Sequence, residues 1–185
     1  MNKVISTLVL VMSCIVSVWG QAAPEDTAQK VTLANLLENG SQYVGKTVSF
    51  SGKTIHVCSK SGMKLFMEIP GTKQTLRVNS TPKLGKFPRT CNNHKVEITG
   101  IVEESRIDED FLKQWESKIK AQTEEKHGHG EEGCAAEKAA TKETGHSSSQ
   151  RIADFRKRIA QRKQAEGKNY LSFYHVKAIS YHIVQ

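Results

Sequence analysis

The spacing of apolar residues changes twice along this chain, and that limits its fold more than any other feature. Over 43–79 and again over 94–105 apolar and polar residues alternate, the period of a half-buried strand, with 80–93, which holds two prolines and a glycine, reading as a loop between them. Val48 and Phe50 share one parity, Leu65, Met67 and Ile69 another, and Leu76 and Val78 mark a third segment. Turn chemistry separates them at 59–62 (SKSG) and 70–73 (PGTK). A fourth strand, 94–105, carries Gly100. The period then lengthens: Ile107, Phe111, Trp115 and Ile119 recur at four-residue steps, an apolar stripe on an otherwise charged helix. Residues 149–169 form a second helical pattern on Ile152, Phe155 and Ile159. Alternation returns in 170-YLSFYHVKAISYHIVQ-185, rich in aromatic and β-branched residues, with a parity shift near Ala178. A late strand of this kind must pair with the early ones or leave an exposed hydrophobic edge. The fold class predicted is mainly β with inserted helices. It is a five-stranded antiparallel barrel, with a protruding helical hairpin inserted before the last strand.

Local signals refine this outline. Thr32 is placed to cap a short helix over 32–40 with Leu33, Leu36 and Leu37 on one face, and Gly40 suits a left-handed stop. Ile55 and Val57 fall out of parity with Val48 and Phe50, so a bulge or sharp bend at Gly52 is expected. Phe66 breaks the parity of its strand, which points to cover on both faces.

The start of the chain bears on compartment. After Met-Asn-Lys comes an apolar run over 4–20, then small residues at Gly20 and Ala22, so residues 1–22 read as a signal peptide. The run is short of the ~20 residues of a membrane span. Val11-Met12-Ser13-Cys14 is a loose lipobox, but apolar residues continue past Cys14 to Trp19, which makes lipid anchoring there the weaker reading. The protein is therefore expected to be exported, to the periplasm or cell envelope. Residues 32–185 make one domain, with the insertion at 107–168 and a polar His/Cys connector at 123–148.

The segment YVGKTVSFSG (43–52), the Val57-Cys58 pair and KVEITGIVEESRID (95–108) resemble exported bacterial OB-fold domains of uncharacterised function. The resemblance covers 32–122 and 170–184. It implies an OB-type barrel and no catalytic residues. A related group has Gly-Cys-Trp after the first-strand cysteine, where this chain has Ser61-Gly62-Met63.

Three constellations carry potential chemistry. His56 and Cys58 alternate on one strand and share a face, about 7 Å apart, a donor pair suited to a soft cation. In an OB-type barrel the end of the first strand nears the start of the fourth. Cys58 and Cys91 are then placed for a disulfide, the alternatives being a metal-binding or reactive thiol, or two inert thiols. The second constellation is His127, His129, Cys134 and His146, three nitrogens and a sulfur in a glycine-bearing polar stretch. It is either a solvated connector or a capture arm for zinc, copper or nickel. The third is the basic helix, with Arg151, Arg156, Lys157, Arg158, Arg162 and Lys163. It is either a solvated face paired with the acids Asp108, Glu109, Asp110 and Glu116, or a surface for an anionic partner. Nucleic acid is disfavoured as that partner by export and by the charge lying away from the strands; peripheral membrane contact stays open.

No nucleophile elbow, zinc-protease motif or phosphate loop is present. The function expected is a non-enzymatic envelope binding or accessory module, with no certain cofactor and zinc or copper as candidates. The alternative is an interaction module that holds an anionic or protein partner, or single-stranded nucleic acid, on the barrel face and the basic helix.

Overall fold

The computed structural model describes residues 28–124, 134–144 and 147–184. Each change of hydrophobic period becomes a change of element. The strands are β1 (Gln29–Lys30), β2 (Thr47–Val57), β3 (Lys64–Glu68), β4 (Thr75–Asn79), β5 (Lys95–Ile107) and β6 (Leu171–Val184). The helices are α1 (Leu33–Glu38), α2 (Glu109–Glu124), α3 (Ala135–Thr141) and α4 (Ser148–Glu166). Among the described residues no helix is long and apolar enough to cross a membrane.

Strands β2 to β6 close into a ring in the order β2-β3-β4-β6-β5, with β5 returning to β2. The long β2 makes closure possible: Thr47–Lys53 pairs with β5 and the following residues with β3. Four of the five contacts are antiparallel, but β4 and β6 run parallel, Val78 opposite Val176 and Asn79 opposite Lys177. The expectation of a purely antiparallel barrel is corrected here, and the reason is parity. Directions cannot alternate around a closed ring with an odd number of strands, so one neighbouring pair must be parallel. β1 adds outside the ring, parallel to β2.

Alternate strand residues fill the barrel. Val48, Phe50, Val57, Leu65, Met67, Leu76, Val78, Ile98, Val102, Val176 and Ala178 form one core with Leu33 and Leu36 of α1. Thr32 caps α1 as expected, its Oγ1 accepting from the Asn35 amide at 3.2 Å. Gly40 is not a left-handed stop. It opens a short 3₁₀ turn (Gly40–Gln42), and a Cβ there would lie 2.3 Å from the Tyr174 ring. The bulge in β2 falls between Thr54 and His56 rather than at Gly52, turning Ile55 outward to 39 % exposure. Gly52 serves packing instead, since a Cβ would meet Leu33 Cδ1 at 2.4 Å. The bend of β6 is close to its expected place: Gly100 faces Ala178 and Thr99 faces Ser180, leaving Ile179 unpaired and exposed.

A second core lies outside the barrel. Leu112 of α2 and Ile152 and Phe155 of α4 pack with Ile107 and Leu171, and Trp115, Ile119, Ile159 and Phe173 flank them. The hairpin therefore lies against the barrel wall and does not protrude. Leu112, not Phe111, is the buried centre of α2, and Phe111 is 45 % exposed. α4 starts with a capping box, Ser147 accepting from the Gln150 amide and the Gln150 side chain accepting from the Ser147 amide. Gly167 ends it with φ 71°.

Candidate functional site between the barrel wall and the helices

The outward faces of β4, β5 and β6 bring polar side chains together under the helices. In the β5–β6 ladder Ser105 faces Phe173 and Glu103 faces His175. Arg77, on β4, donates from Nη2 to Ser105 Oγ at 3.3 Å and from Nη1 to Glu137 Oε1 at 3.2 Å. Lys64 Nζ donates to the same Glu137 oxygen at 2.7 Å. Ser105 Oγ lies 3.3 Å from His175 Nδ1, His175 Nε2 lies 3.2 Å from Glu103 Oε2, and Lys177 Nζ donates to Glu103 Oε1 at 2.9 Å. One polar chain thus runs Lys64–Glu137–Arg77–Ser105–His175–Glu103–Lys177.

Chemistry orients this chain. An ionised carboxylate only accepts, so the proton between His175 and Glu103 sits on Nε2. Burial, then the positive charge of Arg77, holds His175 below its ordinary pKa, which favours the neutral ring. Its Nδ1 is then an acceptor and takes the Ser105 O–H. Burial raises Glu137, but the hydrogen bond and charge of Lys64, with Arg77, outweigh it and leave the pKa lowered. Glu103 is likewise lowered, chiefly by its hydrogen bond from Lys177.

Glu137 belongs to α3, inside the stretch expected to be a solvated connector. That expectation is corrected for the described residues: α3 packs on β3 and β4, where Thr75 Oγ1 donates to Ala136 O at 2.8 Å. Arg158 of α4 donates to Thr141 O and Lys142 O, each at 3.2 Å, and so holds the last carbonyls of α3.

Between the polar chain and the helices lies a cleft of about 350 Å³. Its apolar side includes Phe111, Trp115 and Phe173, and its polar side Arg77, Ser105 and His175. The Phe111 and Trp115 ring centroids are 6.4 Å apart, and the Arg151 guanidinium stacks 4.6 Å from the Trp115 centroid while pairing with Glu143. Periodicity placed Trp115 and Phe155 on helix faces, but nothing local marked Arg77, Ser105, His175 or Glu137. Arg77 and Glu137 are 60 residues apart.

The residues singled out from the sequence fare differently. The expected Cys58–Cys91 disulfide is corrected: both are free thiols, as is Cys134. Val57 points into the core, so Cys58, next along the strand, points away from it, whereas Cys91 is buried within that core. A hydrogen bond from Ser61 lowers the Cys58 pKa and burial raises that of Cys91. The His56 ring lies tilted against Phe66, centroids 5.8 Å apart, and Phe66 is fully buried, in keeping with a strand covered on both faces. Among the described residues no three or more His, Cys, Asp or Glu side chains group to hold a metal ion. His127, His129 and His146 lie outside the described residues, as do Cys14 and the whole 1–22 segment. Cys134 lies at the N-terminal boundary of α3, half-buried, with no capping bond from its side chain.

In the basic helix, Arg156 is shared by Glu109 and Glu116, each at 2.7 Å. Arg158 also pairs with Asp154, and Arg162 with Glu166 and Tyr170 O. Lys157 and Lys163 are exposed. The intramolecular pairing with Glu109 and Glu116 therefore forms as one of the two sequence readings had it.

No protein-family model matches the chain, and no curated protein matches it. A solved structure described as an aspartyl-tRNA synthetase from Leishmania major Friedlin is similar at a TM-score of 0.37 and 10% identity. That match covers 90% of this chain and 22% of the other. A likeness so low carries no argument about fold or function.

Proposed function

We propose that this chain is a non-enzymatic binding module of the bacterial cell envelope, built on an OB-type barrel, with its ligand seat in the cleft between barrel wall and helices. The OB assignment is supported by the closed five-stranded ring, by the bent first strand shared between two neighbours, and by the last strand returning between the third and fourth strands of the ring. Export rests on the apolar run at 4–20 and the small residues after it.

The observation that carries the seat is the cleft's make-up. It is a concave space of about 350 Å³ with aromatic walls and a few convergent polar groups, the usual form of a small-molecule site. The basic helix is the weaker candidate, because Arg151, Arg156, Arg158 and Arg162 are already engaged by groups of the same chain. Zinc or copper capture is kept for the 127–146 segment. It is favoured by the free, half-buried thiol of Cys134 near three histidines in sequence.

A Trp19→Phe full-length chain leaves Trp115 as its sole indole. Screening it against a fragment library by fluorescence and thermal shift tests the seat. Fragments that perturb Trp115 and raise the unfolding midpoint are expected, and Ala140→Phe, which fills the cleft, abolishes their effect. Hits that bind Ala140→Phe equally well, or no hits at all, sink the reading.

A further inference from the structure

We infer that the cleft selects a small amphipathic organic anion, whose carboxylate or phosphate meets Arg77 and whose apolar body lies along Phe111, Trp115 and Phe173. This rests on the cleft being the ligand seat.

Charge balance is the first argument. The lining includes the cations Arg77, Arg106, Lys118 and Arg151, and one acid, Glu137. Arg106 is matched by Glu104 and Arg151 by Glu143. Glu137 is shared between Lys64 and Arg77, so one carboxylate faces two cations. Lys118 is exposed at the mouth. His175 supplies no negative charge in either protonation state, and Glu103 beside it is already held by Lys177. Among the described residues the polar end therefore keeps uncompensated positive charge in a partly dehydrated place, where an anion gains most.

Donor count is the second argument. A guanidinium has five N–H groups. Arg77 bonds one acceptor through Nη1 and one through Nη2, and its buried Nε–H has no acceptor among the described residues. Nε itself is closed off, so the donors left for a ligand are the second N–H groups of Nη1 and Nη2; the side chain is 19 % exposed and lines the cleft. Anionic oxygens are the acceptors that bind such a fork most strongly. The third argument is the opposite wall. Phe111 is a large apolar side chain left exposed beside Trp115, and a flat apolar body would cover it.

Calorimetry with three ligands of one shape tests this: naphthalene-2-carboxylate, naphthalene-2-methanol and naphthalen-2-ylmethylamine. On the full chain the acid is expected to bind at least about tenfold more tightly than the alcohol, as a charge-assisted bond allows, and the amine not measurably. Lys118→Gln, at an exposed position, lowers acid affinity about threefold without changing that of the alcohol. Arg77→Gln removes the preference for the acid, and thermal unfolding of that variant reports whether α3 stays docked. If the alcohol binds as tightly as the acid and Ala140→Phe displaces both, the anion inference falls and the seat stands. If library fragments bind in the cleft but the acid does not, the inference also falls alone. If the acid binds Ala140→Phe unchanged, the seat itself is wrong.

Discussion

His175 is 7 % exposed yet hydrogen-bonded through both ring nitrogens to β5, and it makes the outer face of the β5–β6 wall pH-dependent. Its folded pKa lies below the ordinary 6.5, so the unfolded chain binds the proton more readily. Its contribution is whole above pH 6.5 and is lost as pH falls through the lowered folded value. Glu137, lowered from 4.5, acts in the same direction at lower pH. The unfolding midpoint should therefore fall from pH 7 toward pH 5 in the native chain and fall less in His175→Gln. Equal slopes would show that His175 is not the group responsible. Two thiols separate at the same scale. Cys58, half-buried with a lowered pKa, should react with a maleimide well before Cys91, which is fully buried with a raised one. A denatured, unreduced sample should titrate both as free thiols, and loss of the pair would restore the disulfide.

At the scale of the element, close approach and capping decide more than propensity. Gly100 sits where a Cβ would be 2.5 Å from Lys177 O, a backbone atom held in the β5–β6 ladder. Gly100→Ala is expected to cost about 1–3 kcal/mol in urea unfolding, the range for overpacking; a cost near zero would mean that the strands can part there. Ser147→Ala removes the side-chain half of the α4 capping box and should cost about 1 kcal/mol. α3 is too short to be stable alone. Its order comes from Thr75, Lys64 and Arg77 below it and Arg158 beside it. Glu137→Gln weakens that dock, so amide exchange in 135–141 should accelerate while exchange in β5 and β6 does not change.

At the scale of the whole molecule, two cores share the wall made by β5 and β6. Val102, Val176 and Ala178 face the barrel interior, while Ile107, Leu171 and Phe173 face the helices. Phe155 lies at the centre of the outer core, fully buried against Trp115 and Phe173 at 6.3 and 6.0 Å. Phe155→Ala should cost about 3–5 kcal/mol and release α2 and α4 while the barrel persists, read as two separate transitions in thermal unfolding. A single transition would make the two cores one cooperative unit.

Local chemistry determined the kinds of element and most of their places. Alternation marked the strands, three- and four-residue spacing marked α2 and α4, and Thr32 marked a helix start, because each depends on neighbours a few positions apart. Only the tertiary structure decided the parallel β4–β6 contact, the bulge at Ile55, the docking of α3 and the cleft. Each of these depends on pairs such as Arg77 and Glu137, which no period in the chain connects. Their meeting is set by how the barrel closes and which face of each strand it leaves for the helices.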